Sequence, residues 1–369
     1  MLIEDITVHV DNKPVYDITF NDSYDGLADI LNRLGFSGKK ICIVSETNVA
    51  SLYLDAILIS LNNEGIFNKV TTFIFNAGEE NKNLDVVRDL YERLITEKFD
   101  RNDLLIALGG GVTGDLTGFA AATYLRGIDF VQIPTSLLSQ VDSSIGGKTG
   151  VDFSSYKNMV GAFHMPRLVY MNQNSLKSLD KRQFISGMGE VLKHGLILDA
   201  GYYTWIKNNF SKIITLDYDT LCELVHRSCL IKRMVVEEDP TEKGKRALLN
   251  FGHTLGHALE KYMNFELLHG ECVLIGSILA SLISYNKGNI DKNTLTDIIT
   301  TIKMFEIPAL PKDIDIDKII DYTRNDKKVV GDKIKFILLK SIGNAYIDMD
   351  VTKEDMRQAF TDYLDQYNM

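Results

Sequence analysis

Cysteine is scarce in this chain: four residues (Cys42, Cys222, Cys229 and Cys272) in 369, spaced as neither a paired metal motif nor a disulfide framework. They read as reduced, mostly buried thiols, which suits a cytoplasmic protein. A basic excess is also missing. The 40 lysines and arginines face 50 acidic residues, for a net charge of -10. General nucleic-acid binding, whose affinity rests on neutralised phosphates, is excluded on that balance. No apolar run is long enough to span a bilayer; the longest, around Val273 to Ile283, is interrupted by Gly276, Ser277 and Ser281. No membrane partner is expected. Met1-Leu2-Ile3-Glu4-Asp5 lacks the basic, apolar, small-residue order of a signal peptide. Histidine is sparse too, with seven residues, and yet His253, His257 and His269 fall close together.

The first half alternates short β-rich runs with helical stretches. Residues 41–44, 70–75, 104–108 and 130–133 read as buried strands, and 48–61 and 84–97 have helical periodicity. That alternation means βαβ units and a parallel sheet, with ligands at the carboxyl ends of the strands. From about Ser175 long amphipathic patterns dominate: 181–198, 220–237, 247–262 and 270–286. A small hairpin (334–339 with 345–349) and a closing helix from Lys353 complete the chain. The expectation is an α/β protein with one boundary near residue 173. Residues 1–172 would form a Rossmann-like nucleotide-binding domain and residues 173–369 a mainly helical metal- and substrate-binding domain, with the active site between them. The charged stretch 324–335 is expected to be mobile.

Gly109-Gly110-Gly111-Val112-Thr113-Gly114-Asp115 follows one strand and precedes a helix. Backbone N–H groups and a helix N-terminus there can cradle a pyrophosphate. A glycine run alone also fits a plain tight turn, but Glu46, after the strand 41–44, is placed to accept hydrogen bonds from ribose hydroxyls. With no basic cluster beside it, NAD is favoured over NADP. Gly78-Glu79-Glu80-Asn81-Lys82 offers a further loop at a strand end. In the second half, His253 and His257 are one helical turn apart, His269 starts the next helix, and Glu190 and Lys193 share a turn upstream. These imidazoles and one carboxylate can hold a divalent cation. With no cysteine at hand, the donors are oxygen and nitrogen. Zinc is the first expectation, and cobalt, iron or manganese are separated from it only by geometry. By spacing alone both His253 and His257 are candidate ligands. Lys148, Lys157, Lys193, Lys232, Arg246 and the pair Lys327-Lys328 are candidates to grip an anionic substrate in an acidic protein.

In their order, residues 109–121, Tyr124-Leu125-Arg126-Gly127, Pro134-Thr135-Ser136, 142–152, Lys157-Asn158, Gly189-Glu190-Val191-Leu192-Lys193, 242–246, 249–257, His269-Gly270-Glu271 and Asp326-Lys327-Lys328 resemble the 3-dehydroquinate synthases, a family of sugar-phosphate cyclases. The likeness runs from about residue 40 to residue 345. It implies conversion of 3-deoxy-D-arabino-heptulosonate 7-phosphate to 3-dehydroquinate and phosphate, through transient oxidation by NAD, phosphate elimination, reduction, ring opening and aldol closure. It also implies a homodimer and a divalent metal, usually zinc, with cobalt as the alternative. Carried over by position, Glu190, His253 and His269 become the metal ligands, and His257 moves to the substrate phosphate with Lys148, Asn158 and one of the pair Lys327-Lys328, Lys327 being the first choice. Arg126 would reach that phosphate from a partner subunit. Lys232 and Arg246 would clamp the substrate carboxylate; Asp142, Lys193, Glu242 and Asn250 would meet its hydroxyls. Around NAD the resemblance places Glu46, Asn48, Glu79, Lys82, Gly111, Val112, Thr113, Gly114, Asp115, Thr135, Ser136, Asp142, Lys148, Lys157 and Ser178. In that family the substrate's own phosphate helps remove the proton lost on elimination.

Departures are small: Gly189, Leu192, Ala77, Cys272 and Glu46 stand where alanine, isoleucine, an aspartate or proline, alanine and aspartate are commoner. Other sugar-phosphate cyclases share the metal and NAD motifs, but Asn250 and His257 beside intact Arg246 and Lys232 favour dehydroquinate synthase. A metal-dependent alcohol or glycerol dehydrogenase needs no carboxylate clamp plus phosphate site. A non-catalytic nucleotide-binding protein would not need every metal and anion residue.

Overall fold

The computed structural model describes residues 3–62, 65–154, 156–323, 329–330 and 333–368. Lys327 and most of the stretch expected to be mobile lie outside them. The strands that matter are β1 (Ile6–Val10), β2 (Lys13–Asn21), β3 (Lys40–Glu46), β4 (Lys69–Phe75), β5 (Leu104–Gly109), β6 (Asp129–Pro134), β7 (Lys148–Phe153), β8 (Tyr156–Phe163) and β9 (Leu168–Asn172). The helices are α1 (Leu27–Arg33), α2 (Thr47–Asn62), α3 (Leu84–Thr96), α4 (Gly111–Thr123), α5 (Lys181–Leu198), α6 (Ala200–Asn208) and α7 (Phe210–Ile214). They continue with α8 (Tyr218–Glu238), α9 (His253–Tyr262), α10 (His269–Asn286), α11 (Lys292–Lys303), α12 (Ile316–Thr323) and α13 (Lys353–Gln366).

Two units result: residues 1–179 with 216–241, and residues 180–215 with 242–369. The chain thus passes between units three times, where a single passage near residue 173 was expected. The reason is α8, which packs on β1 and on the turn Ser139–Ser143 of the first unit. Its periodicity reports an amphipathic helix but not which core its apolar face meets.

In the first unit seven strands form a sheet in the order β1-β2-β9-β6-β5-β3-β4, parallel except for the β1–β2 hairpin. The unbroken apolar reading of β3 and β5 has its cause in cover on both faces. Ile41, Ile43, Leu104 and Ile106 pack with Leu27, Leu31, Ile57 and Leu61, whereas Cys42, Val44 and Leu105 pack with Val87, Leu90, Leu116 and Phe119. The chain runs outward from β3 to β4, then returns to β5 on the other side of β3 and continues to β6. The carboxyl ends of β3 and β5 are therefore the switch point of this sheet, where an open α/β sheet leaves a crevice for a ligand. Strands β1, β2 and β7 to β9 were not anticipated; β1–β2 is an antiparallel hairpin at the edge of the sheet, and β7–β8 form a separate hairpin.

The second unit is built around α10, buried at every residue from Gly270 to Ser284. A helix apolar on all sides belongs at the centre, and α5, α9, α11, α13 and the strand Phe336–Ser341 surround it. That strand pairs with Asn344–Asp348, the hairpin expected from sequence. The helix expected over 247–262 is broken: a tight turn, Lys245–Asn250, precedes α9, and Gly252 between them is left-handed (φ 76°). A Cβ there would lie 2.8 Å from the Val273 carbonyl of α10, so glycine serves both the turn and the approach. One turn earlier on α10 a Cβ on Gly270 would lie 1.7 Å from the Ser186 carbonyl of α5. Gly270→Ala is expected to destabilise the protein by about 3 kcal/mol or more, read as a lower denaturant midpoint with unchanged slope.

Candidate active site

In the first unit, β5 ends in Gly109 and α4 starts at Gly111, with Gly110 extended as its N-cap. No side chain caps α4, so its leading N–H groups and the positive end of its dipole are offered to an anion. The loop is walled by small residues. Cβ atoms on Gly110 and Gly111 would meet the hydroxyls of Ser136 and Ser143 at 3.4 and 3.1 Å. A Cβ on Gly114 would meet Gln132 Oε1 at 2.6 Å, which seats α4 against β6. Thr135 N donates to the Gly109 carbonyl (3.0 Å), and Ser136 is held in mutual bonds with Ser139. The glycine loop, Thr135 and Ser136 thus come together as expected.

Glu46 ends β3, beside the end of β5 (Ser45 pairs with Leu108). Its carboxylate has a role that sequence reading did not assign: it accepts from Asn48 N (2.6 Å) and Val49 N (2.9 Å), capping α2. A carboxylate has about four lone-pair sites, so a cap and a ribose contact are compatible. The loop at 78–82 brings in Lys82, a buried ammonium that bonds Asn158 Oδ1 (2.7 Å) and pairs with Asp115 (2.6 Å) and, at 3.8 Å, Glu79. Burial alone would lower the Lys82 pKa, but Asp115 and Glu79 push it up. Burial pushes the Asp115 carboxyl up against the opposing pull of Lys82. Lys157 reaches Glu79 at 4.0 Å. Ser178 meets Tyr53 and the Ser175 carbonyl, and Lys232 on α8 is paired with Asp142. Lys148 opens β7 on the surface. Leu125 and Arg126 are both left-handed (φ 50° and 70°), a costly conformation for side-chain-bearing residues.

In the second unit α5 carries Glu190 and Lys193 one turn apart, paired and almost fully buried. Two imidazoles converge on Glu190 Oε1: His253 Nε2 at 3.3 Å and His269 Nε2 at 3.5 Å. That oxygen is buried with no hydrogen-bond partner. An orphaned carboxylate oxygen facing two imidazole nitrogens is the donor set of a divalent metal site with positions left open. His253 Nδ1 lies 3.0 Å from the Phe251 carbonyl, which can only accept. The ring is therefore protonated at Nδ1, and its Nε2 lone pair faces Glu190. Burial would lift the Glu190 carboxyl, yet Lys193 and His253 hold it well below the usual range. Burial and Lys193 press His253 down to about 3, which keeps the ring neutral. Burial acts the same way on His269, but Glu190 and Glu260 together raise it to about 9. His257 joins the cluster, its ring 5.2 Å from that of His253 and 5.5 Å from that of His269. Geometry alone keeps it a candidate ligand. Glu242, left-handed at φ 58°, accepts from Asn250 Nδ2 (2.9 Å), and Arg246 between them is buried to 1% exposure.

Sequence reading missed Glu260 and Arg182, and quoted Glu271 in a motif without giving it a role. Glu271 caps α10 by accepting from Leu268 N (2.7 Å), and Arg182 grips both its oxygens (2.6 and 2.8 Å). The signal for Glu260 was present: it lies seven residues after His253 and three after His257, on the same face of a helix.

Comparison with known proteins agrees in sequence and in structure. Residues 72–186 match the model of the 3-dehydroquinate synthase N-terminal region, and residues 187–329 that of the C-terminal region. A 3-dehydroquinate synthase of Acetivibrio thermocellus is 43% identical over 341 residues, 92% of this chain and 94% of that protein. Among solved structures, a 2-deoxy-scyllo-inosose synthase complexed with carbaglucose-6-phosphate, NAD+ and Co2+ superimposes with a TM-score of 0.86 at 25% identity, covering 96% of this chain and 100% of the other. A 2-epi-5-epi-valiolone synthase of Streptomyces hygroscopicus with NAD+ and Zn2+ bound has a TM-score of 0.87 at 24% identity, covering 96% and 98%.

Proposed function

The chain belongs to the 3-dehydroquinate synthase family, and from that premise we infer how its own residues divide the work of the family's reaction. The reaction is a step of the shikimate pathway, a lyase reaction that turns 3-deoxy-D-arabino-heptulosonate 7-phosphate into 3-dehydroquinate and phosphate. The observation that carries the assignment of roles is the orphaned Glu190 oxygen facing His253 and His269. These three residues hold a divalent metal, and the glycine loop before α4, with Glu46, holds NAD. Such cofactors fit the cyclase neighbour that carries NAD+ and Co2+. The nitrogen and carboxylate donors here suit zinc, with cobalt as the substitute. When bound, the metal acidifies a substrate hydroxyl and NAD takes up and returns the hydride.

The protein's own groups then position and balance charge. Glu190 fixes the Lys193 ammonium toward the substrate hydroxyls. Asn250 is oriented by Glu242 for the same purpose, and Asp142 is assigned to it as well. Asp142 also steadies Lys232, which with Arg246 grips the substrate carboxylate. For the phosphate, Asn158 gives its carbonyl to Lys82 and so turns its amide nitrogen to the opposite side, joined by Lys148, His257 and Lys327. Asn48, Glu79, Lys82, the residues 111–115, Thr135, Ser136, Lys157 and Ser178 serve NAD. The reaction itself is checked with the metal-loaded protein, the heptulosonate 7-phosphate and catalytic NAD. Many molecules of phosphate per NAD with no NADH accumulating are expected; stoichiometric NADH from a simple polyol would make it a dehydrogenase instead.

The protein works as a homodimer in this reading, and Arg126 reaches the partner subunit's phosphate site. Two observations support it. The β7–β8 hairpin exposes Phe153, Tyr156, Met159 and Phe163, each more than half exposed, an apolar set larger than scattered surface residues account for. Leu125 and Arg126 hold a strained conformation that local packing of an exposed turn does not require. Mixing inactive Arg126→Ala subunits with inactive Lys193→Ala subunits is expected to restore part of the activity, since hybrid dimers contain one intact site. No recovery despite demonstrated subunit exchange would place Arg126 in its own subunit's site.

A further inference from the structure

His269 is bracketed by two carboxylates on opposite ring nitrogens. Nε2 faces Glu190 Oε1 at 3.5 Å and Nδ1 faces Glu260 Oε2 at 3.7 Å. Glu260 comes from α9, the helix that also carries His253 and His257, and it is buried at 5% exposure. An ionised carboxylate is costly to bury without a partner, and no step of the reaction described above uses this one. The two ligand imidazoles are thus held in different ways. His253 rests its Nδ1 on the Phe251 carbonyl, whereas His269 has the Glu260 carboxylate behind Nδ1.

We propose that Glu260 is a positioning residue that fixes the ring of His269 and strengthens it as a metal ligand, an inference that rests on the assignment of Glu190, His253 and His269 as the metal site. A carboxylate behind Nδ1–H fixes the tautomer that offers the Nε2 lone pair, and raises its basicity. It also compensates for the exposure of this ring: His269 is 31% exposed at its side chain, against 10% for His253, so packing restrains it less. Seven residues after His253, Glu260 shares the rigid frame of α9 with that ligand, so one helix sets both the position of one ligand and the orientation of the other.

The test measures Zn2+ affinity by chelator competition for the parent protein, Glu260→Gln, Glu260→Asp and His269→Ala, together with the visible spectrum of each loaded with Co2+. Glu260→Gln keeps the volume and loses the charge. It is expected to bind Zn2+ about 10- to 100-fold more weakly, to unfold without metal at the parent's temperature, and to shift the Co2+ absorption bands. Glu260→Asp, which keeps the charge and shortens its reach, is expected to fall between the two. In a His269→Ala background Glu260→Gln is expected to weaken Zn2+ binding no further. Parent-like Zn2+ affinity in Glu260→Gln would overturn the proposal, as would a weakened affinity with an unaltered Co2+ spectrum, which would mean that Glu260 serves only the fold. Should Glu260→Gln fail to fold, parent-like affinity in Glu260→Asp overturns it. Parent-like Zn2+ binding by His269→Ala is the distinguishable case in which the ligand assignment itself falls and the proposal with it.

Discussion

His269→Ala is expected to lose tightly bound metal and activity together. Removing one of the three proposed ligands leaves Glu190 and His253 with an incomplete set. A metal acting as Lewis acid supplies several kcal/mol of transition-state stabilisation. Loss of ~4 kcal/mol corresponds to about a 10^3-fold fall in turnover, and the fall is expected to persist when Zn2+ is added in excess. The cluster itself contains the control. His257 lies as near to both ligand rings as they lie to each other (5.2 to 5.5 Å), so a purely structural disturbance would come equally from either substitution. His257→Ala is expected to keep stoichiometric Zn2+ while kcat/KM for the sugar phosphate falls. Metal analysis of the two purified variants separates the roles: full metal in His269→Ala, or none in His257→Ala, would exchange the assignments.

Much of this arrangement was legible in the chain. The buried strands β3, β5 and β6 are apolar runs bounded by turn residues, covered on both faces; β4, expected to be buried as well, is the edge strand of the sheet, with only Thr71 and Phe75 buried. Helix α5 spans the expected residues because its N-cap, Asp180, accepts from Arg182 N and Gln183 N. What stayed hidden depends on partners distant in sequence. The packing of α8 on the first unit cannot be read from its own period. The break before α9 is set by the carbonyl of Val273, which a lone Gly252 does not announce. At the site, types and spacing pointed to the residues that converge, but spacing treats His253 and His257 alike. The orphaned Glu190 oxygen and the two Nε2 distances are tertiary facts. The cap that Glu46 makes was equally hidden, since its place after a strand and its charge suggested only a ribose acceptor, whereas its position also starts a helix. Gly189 shows the reverse case. As a departure from a commoner alanine it looked neutral, yet a Cβ there would meet the Gly270 carbonyl at 2.6 Å, so the glycine lets the helix bearing Glu190 approach the one bearing His269.

Arg246→Ala is expected to weaken capture of the sugar phosphate far more than that of NAD. Arg246 is among the largest fully buried side chains of the protein, and a guanidinium is taken out of water only where carboxylates or hydrogen-bond acceptors meet it. Truncating one member of a buried charge pair costs 2 to 5 kcal/mol, which at ~1.4 kcal/mol per decade is a fall of about 30- to 4000-fold in kcat/KM. The NAD contacts proposed here, Glu46 and the loop before α4, all belong to the first unit, whereas Arg246 belongs to the second. The dissociation constant of NAD in the absence of substrate is therefore expected to stay within about twofold of the parent value, because sites without shared partners act additively. Arg246→Lys is the sharper probe. It keeps the charge and loses the planar fork, so a clamp on a carboxylate predicts a large loss for lysine as well. A lysine variant with parent-like kcat/KM would reduce Arg246 to a point charge, and equal weakening of NAD and sugar phosphate in the alanine variant would show that its loss disturbs the protein as a whole.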